Sequence, residues 1–272
     1  MAAISTDTLG FLGGGQMAEA LIGAFISSGQ VSADALYASD PQEDRRSRLS
    51  DSYGIHTLDD NAALVPQCNV VFLATKPQIL TGAMESIAAS FGARHLVISI
   101  AAGITIDYLE NLLPESRVVR VMPNTPCLVG AMAAGYAMGN RTTAADENLV
   151  ARLLESAGIA FKLPEDQLDA VTGLSGSGPA FVARLIEAMA AGGTAQGLPQ
   201  DVAEQLALQT VLGTGKLLRD KNLSPDALVK MVSSPNGTTV AGRAVLESSD
   251  VADVMRATIA AATQRSKELA KG

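Results

Sequence analysis

Cysteine and histidine are nearly absent: Cys68, Cys127, His56 and His95 are the only residues of either type in a chain of 272. Two cysteines cannot build a disulfide framework, and neither stands at a metal-ligand spacing, so each is expected as a reduced, buried thiol. Two histidines far apart in sequence give no reason to expect a metal site. Charged residues make up only 18%, and Lys+Arg 20 against Asp+Glu 28 leaves a net charge of −8. That acidic balance argues against nucleic acid or an anionic membrane as partner, while leaving room for a local phosphate pocket. No apolar run reaches membrane-spanning length, and the N-terminus lacks the basic start and cleavage site of a secretory signal. These absences predict a cytoplasmic globular protein of one or two domains.

The most informative segment present is residues 8–25, Thr-Leu-Gly-Phe-Leu-Gly-Gly-Gly-Gln-Met-Ala-Glu-Ala-Leu-Ile-Gly-Ala-Phe. A short apolar strand breaks into glycines and restarts as a helix, which builds a dinucleotide site from main chain alone. Gly13 allows the tight turn, Gly15 lets the backbone approach a pyrophosphate, and Ala18 keeps the helix close to the strand. The free N–H groups and positive dipole end of that helix then face the phosphates.

From residue 8 to residue 164, β-rich runs alternate with helical stretches. Residues 36–39, 69–74, 95–101, 117–122 and 132–138 read as strands, and 44–53 and 106–112 as helices. The runs at 69–74 and 95–101 are almost wholly apolar, as strands buried on both faces of a parallel sheet must be. This rhythm predicts a Rossmann-like α/β domain over 1–164, a doubly wound and mainly parallel sheet. From about 165 the β signal fades. Residues 165–272 are predicted to form an all-α domain, with helices near 179–192, 199–219, 225–232, 239–248 and 251–270. The first of these is apolar almost all round, and the whole region is rich in alanine and poor in aromatics. Such a bundle is expected to complete its core against a second subunit.

Four loops depart from these patterns. Ala74, Thr75, Lys76 and Pro77 end the strand at 69–74, so Lys76 is expected beside the cofactor, beyond the strand's C-terminal end. Asn124 and Thr125, fixed between Pro123 and Pro126, offer an amide and a hydroxyl in the same cleft. Gly173, Gly176 and Gly178 interrupt what would otherwise be continuous helix, at about 1 kcal/mol each relative to alanine. They permit close approach by a ligand or by another helix. Ser233, Ser234, Thr238 and Thr239 flank an Asn-Gly turn before a helix start, an uncharged cradle suited to a carboxylate.

Taken together, these segments resemble the pyrroline-5-carboxylate reductase family. The matching pieces are Gly-Phe-Leu-Gly-Gly-Gly-Gln-Met-Ala at 10–18, Ala-Thr-Lys-Pro-Gln at 74–78, Ser-Ile-Ala-Ala-Gly at 99–103, Val-Met-Pro-Asn-Thr-Pro at 121–126, Gly-Leu-Ser-Gly-Ser-Gly-Pro-Ala at 173–180 and Ser-Pro-Asn-Gly-Thr-Thr at 234–239. The resemblance implies reduction of the cyclic imine 1-pyrroline-5-carboxylate to L-proline, and a helical domain that makes dimers, often assembled into decamers. It also implies site residues. Leu12, Gly13, Gly14, Gly15, Gln16 and Met17 would hold the pyrophosphate. Asp40 and Asn61 would lie near the adenosine ribose. Ala74, Thr75, Lys76 and Pro77, with Ile100, Ala101 and Ala102, would line the nicotinamide side. Glu165, Gly237, Thr238 and Thr239 would meet proline or its precursor. Thr172 is a candidate hydroxyl near the imine nitrogen.

Two arguments about the cofactor collide. Asp40 follows the second strand, where a carboxylate binds a ribose 2′-OH and repels a 2′-phosphate. Arg45 and Arg46 are near enough in sequence to pair a phosphate, and the resembled family commonly accepts NADPH. The expectation is NADP(H), with NAD(H) as the alternative. Two other functions remain open: a β-hydroxyacid dehydrogenase, for which Lys216 is the evident catalytic lysine, and a dinucleotide sensor without turnover.

Overall fold

A computed structural model describes residues 7–75 and 77–269. It divides into two compact units, one running to Ser177 and taking in the segment from Ala260, the other spanning Gly178–Ile259.

The first unit is built on eight strands: β1 (Leu9–Leu12), β2 (Leu36–Ser39), β3 (His56–Leu58), β4 (Val70–Leu73), β5 (Leu96–Ser99), β6 (Arg117–Met122), β7 (Met132–Met138) and β8 (Gly158–Lys162). Between them run α1 (Gln16–Ser27), α2 (Glu43–Tyr53), α3 (Asn61–Leu64), α4 (Pro77–Ile87), α5 (Ile106–Leu112) and α6 (Ala144–Glu155). The sheet order is β3-β2-β1-β4-β5-β6-β7-β8. Every pairing is parallel except β6 with β7. The first six strands thus follow the 3-2-1-4-5-6 order of dinucleotide-binding folds, and their C-terminal ends share one edge of the sheet.

The apolar runs explain this arrangement. All four residues of β1, β4 and β5 are buried, so both faces of the central sheet are covered. On one face Phe11 stacks on Phe72 with ring centroids 4.6 Å apart, and Phe25 of α1 closes over both. On the other, Leu12, Val71, Leu73 and Val97 pack with Leu80 and Met84 of α4 and Leu109 of α5. Each such side chain contributes about 1.5–3 kcal/mol on burial.

Both cysteines are buried in this unit. Burial pushes the Cys68 thiol up to about 12, against a smaller opposing pull from Arg94, and pushes Cys127 up to about 11. At pH 8 fewer than about one molecule in a thousand then carries a thiolate at Cys127. A disulfide-exchange reagent is therefore expected to find no reactive thiol in the folded protein and two after denaturation; rapid native labelling of either would contradict their burial.

After β8 the chain turns through α7 (Leu168–Val171) into a π-helical turn, Thr172–Gly176. The glycine-rich segment was expected to break the helix; it instead widens one turn of it. The physical reason is visible at Gly176, where a β-carbon would stand 2.7 Å from the Met122 methyl at the end of β6. Gly176 serves a close crossing against the end of β6 here.

The second unit holds α8 (Gly178–Ala195), α9 (Gln200–Asp220), α10 (Pro225–Val232), α11 (Thr238–Glu247) and the first half of α12 (Val251–Leu269). Its own core is thin: Ala190, Ala203 and Ala207 are buried, with Ile186 packed on them. Large apolar side chains stay exposed, among them Leu206, Leu212, Met231 and Val245. A unit that buries small residues and exposes large ones has not finished folding its apolar surface, the condition expected of a subunit interface. No helix among the described residues is long and apolar enough to cross a membrane.

Candidate active site

The glycine loop stands at the strand ends, where a doubly wound sheet binds its ligand. Gly13 holds φ +101°, and a β-carbon there would lie 3.0 Å from the main chain of Ala74 and Thr75. Only glycine makes that turn without strain. Gly15 then caps α1 with no side chain bonded to the helix start, and a β-carbon added there would meet nothing within 4 Å. The first-turn N–H groups of α1 therefore have no capping side chain.

Gly13, Gly15, Asp40, Asn61, Ala74 and Thr75 line one cleft of about 440 Å³. Thr75 Oγ1 is buried in its wall without a hydrogen-bond partner among the described residues. Asn61 accepts a hydrogen bond from Ser39 Oγ at 2.6 Å. A main-chain cradle, a helix start and an unpaired buried hydroxyl together fit a dinucleotide. When bound, that group supplies the hydride of a reduction.

The other expected cofactor residues fall into distinct places. Leu12 turns its side chain into the core, so only its main chain can serve the loop. Gln16 and Met17 form the first turn of α1. Ile100, Ala101 and Ala102 follow β5, with Ile100 N–H donating to Leu73 O at 3.2 Å. Pro77 opens α4, and Lys76 lies outside the described residues. Asn124 is placed differently from its sequence reading. Its Nδ2 donates to Ser175 O at 3.0 Å and its Oδ1 accepts from Ala133 N–H at 2.9 Å. An amide engaged at both ends, on a residue 7% exposed, staples the β6 loop to the π turn.

Charges around the loop are committed too. Arg45 donates to Gly14 O and pairs with Glu19 at 3.0 Å, while Arg48 holds the other Glu19 oxygen at 2.9 Å. Burial would raise the Glu19 carboxyl, but the bonds from Arg48 and Arg45 outweigh it and keep it below its ordinary range. Arg46 donates to the carbonyls of Asp40 and Pro41.

Glu165 follows β8. Its Oε1 accepts from Ile106 N–H at the start of α5, at 2.8 Å, and from Arg120 Nη1 at 3.1 Å. Its Oε2 has no hydrogen bond among the described residues. Arg120, a buried cation inside an apolar strand, was not singled out in sequence, although a charge within Arg-Val-Val-Arg-Val-Met is itself the signal. Thr172 Oγ1 donates to Leu168 O at 2.9 Å, which commits its proton and leaves lone pairs.

In the second unit, Asn236 takes φ +57° and Gly237 N–H donates to Ser234 O at 3.0 Å, closing the expected turn. Gly237, rather than a threonine, caps α11, and no side chain bonds to that helix start. Thr238 and Thr239 stand exposed in its first turn. The cradle is less uncharged than its sequence suggests, because Arg243 Nη1 donates to Ser233 Oγ at 3.3 Å. Lys216, the candidate lysine of the hydroxyacid dehydrogenase reading, is exposed and paired with Asp220.

Fold and cleft together define an NAD(P)H-dependent oxidoreductase with a separate helical assembly domain. Residues 8–103 match the family model described as NADP oxidoreductase coenzyme F420-dependent, and residues 165–269 match pyrroline-5-carboxylate reductase dimerisation. A pyrroline-5-carboxylate reductase of Synechocystis is 40% identical over 97% of this chain and 98% of its own. One of Methanosarcina acetivorans is also 40% identical, over 98% and 100%. Among solved structures, a pyrroline-5-carboxylate reductase from Coxiella burnetii superposes with a TM-score of 0.93 at 32% identity, covering 98% of this chain and 100% of its own. That of Plasmodium falciparum, with NADP bound, gives 0.87 at 28% over the same shares. The chain belongs to the pyrroline-5-carboxylate reductase family.

Proposed function

We propose that this chain reduces 1-pyrroline-5-carboxylate to L-proline, the last step of proline biosynthesis, using NADPH or NADH. The observation that carries the reading is near full-length similarity to reductases of that name. Two helix starts free of side-chain caps add to it, at Gly15 and Gly237, one suited to a diphosphate and one to a carboxylate.

In this reading Leu12, Gly13, Gly14, Gly15, Gln16 and Met17 form the loop that holds the pyrophosphate, the uncapped N–H groups at the start of α1 making the bonds, and Asp40 and Asn61 face the ribose. Ala74, Thr75, Lys76, Pro77, Ile100, Ala101 and Ala102 line the nicotinamide side. Ser234, Gly237, Thr238 and Thr239 take the substrate carboxylate. Glu165 Oε2 receives the ring N–H of the imine. A protonated imine carries its own electrophilic activation, so no acid of matched pKa is needed. Thr172 is the alternative acceptor for that single N–H, its own proton being given to Leu168 O, and Asn124 fixes the loop beneath. Orientation and water exclusion are the protein's share, about 7–11 kcal/mol for a well-placed pair.

Residues 1–164 serve as the dinucleotide domain and 165–272 as the substrate and dimerisation domain of a cytoplasmic homo-oligomer, with dimers assembling into a decamer. The test is direct. Purified protein supplied with pyrroline-5-carboxylate and reduced nicotinamide should consume both and release proline in equal amount; cofactor binding without turnover would return the sensor reading.

A further inference from the structure

We infer that Asn124 is a positioning residue of the reduction, its side-chain amide standing in for a main-chain N–H that the Thr172–Gly176 turn lacks. The inference rests on the reductase reading given above. In an α-helix the carbonyl of Ser175 would accept from the N–H four residues on. That residue is Pro179, which has none. Ser177 N–H meanwhile reaches back five residues to Thr172 O at 2.9 Å, the bond that widens the turn. Asn124 Nδ2 supplies the missing donor to Ser175 O at 3.0 Å, from a loop 51 residues earlier in the chain. The amide cannot swing away, because Ala133 N–H of β7 holds its Oδ1 at 2.9 Å.

What the amide anchors stands next to the proposed nicotinamide wall. β6 runs parallel to β5 and ends at the same sheet edge, where β5 continues into Ile100, Ala101 and Ala102. Gly176 crosses the Met122 methyl at that end, and Thr172 opens the turn with its proton committed to Leu168 O. Closing the wide turn to an ordinary α turn would move the residues on one side of it by about 100° around the helix axis. Thr172 would then leave its place. Among residues 121–135 and 171–178 the single ionisable side chain is Cys127, whose thiol burial pushes up to about 11. A carboxyl placed at 124 is therefore the only group of these segments that titrates near neutral pH.

The experiment measures kcat for pyrroline-5-carboxylate on the full oligomeric protein from about pH 5 to about pH 9, each variant as a ratio to wild type at the same pH. Asn124→Asp keeps the shape and the oxygen that Ala133 N–H needs, and exchanges the donor for a second oxygen. Protonated, that carboxyl donates to Ser175 O. Ionised, it sets a charge against the carbonyl, and burial raises its pKa above the ordinary Asp value. The kcat ratio should therefore be highest at low pH and fall by about tenfold or more as the carboxyl ionises. Dissociation constants of NADH and NADPH, from calorimetry without substrate, should stay within about twofold of wild type. A second comparison serves if the carboxyl variant does not fold. In Asn124→Ala with Pro179→Ala, the new N–H at 179 satisfies Ser175 O within the helix. The thermal midpoint should recover over Asn124→Ala alone, while kcat stays about tenfold or more below Pro179→Ala alone. A flat kcat ratio for Asn124→Asp would overturn the inference, as would recovery of kcat together with the midpoint in the double variant. If the wild type binds dinucleotide but turns over no pyrroline-5-carboxylate, the reductase reading itself fails and this inference falls with it.

Discussion

Gly158→Ala should lower stability by more than about 4 kcal/mol, near the extreme for a single substitution. β8 begins at Gly158, directly opposite Met132 of β7. An added β-carbon would fall 2.2 Å from Met132 O, 2.4 Å from Met132 N and 2.7 Å from Met132 Cα. All three are main-chain atoms, so no side chain can swing aside. β7 cannot retreat either, because it is paired with β6 on its other edge, and Met132 N–H is bound to Ala157 O at 2.9 Å. At about 2–4 °C per kcal/mol for a chain of this size, the midpoint should drop by about 10 °C. Thermal unfolding should be compared at one protein concentration, since assembly contributes to the midpoint. Turnover should fall with it, because β8 delivers the chain to Glu165. A midpoint within about 2 °C of wild type would mean the strands are not in this register.

The central sheet was legible because its strands are apolar on both faces. The runs at 69–74 and 95–101 became β4 and β5, and β6 and β7 fell at their expected residues. β8 was not foreseen. Its sequence, Gly-Ile-Ala-Phe-Lys, leaves Ile159 and Phe161 exposed at the edge of the sheet, so five residues without an inward apolar stripe carried no strand signal. Local propensity also misjudged residues 172–178. Glycine opposes helix locally, but the crossing at Met122 and the bond from Asn124 to Ser175 O lie about fifty residues away in sequence, and tertiary contacts of that range override propensity. The cofactor loop was readable for the converse reason: its determinants are contiguous. Asn124 and Arg120 were not, since what each does depends on partners that only folding supplies.

Arg120→Met carries the other large effect, and it bears on how Glu165 is held. The Arg120 side chain is 5% exposed, 3.1 Å from Glu165 Oε1 and 3.8 Å from Asp169 Oδ1. Asp169 also accepts from buried Ser266 in the last turns of α12, at 2.6 Å. One cation thus joins β6, the turn after β8, α7 and the C-terminal helix. Removing it leaves two neighbouring carboxylates without their cation, one of them 13% exposed, at an expected cost of about 3–5 kcal/mol. Most of that cost is an uncompensated charge rather than a lost attraction. Adding Glu165→Gln and Asp169→Asn to Arg120→Met should therefore recover more than half of the stability, a coupling that chemical denaturation of the single and combined variants would measure. Activity should not recover in parallel. Glu165→Gln retains an acceptor but exchanges a carboxylate for an amide at the proposed imine contact, so KM for pyrroline-5-carboxylate should rise while cofactor affinity stays near wild type. A cost below about 1 kcal/mol for Arg120→Met would remove the network as a fold determinant. Recovery of both stability and KM in the triple variant would instead make Glu165 a scaffold residue alone.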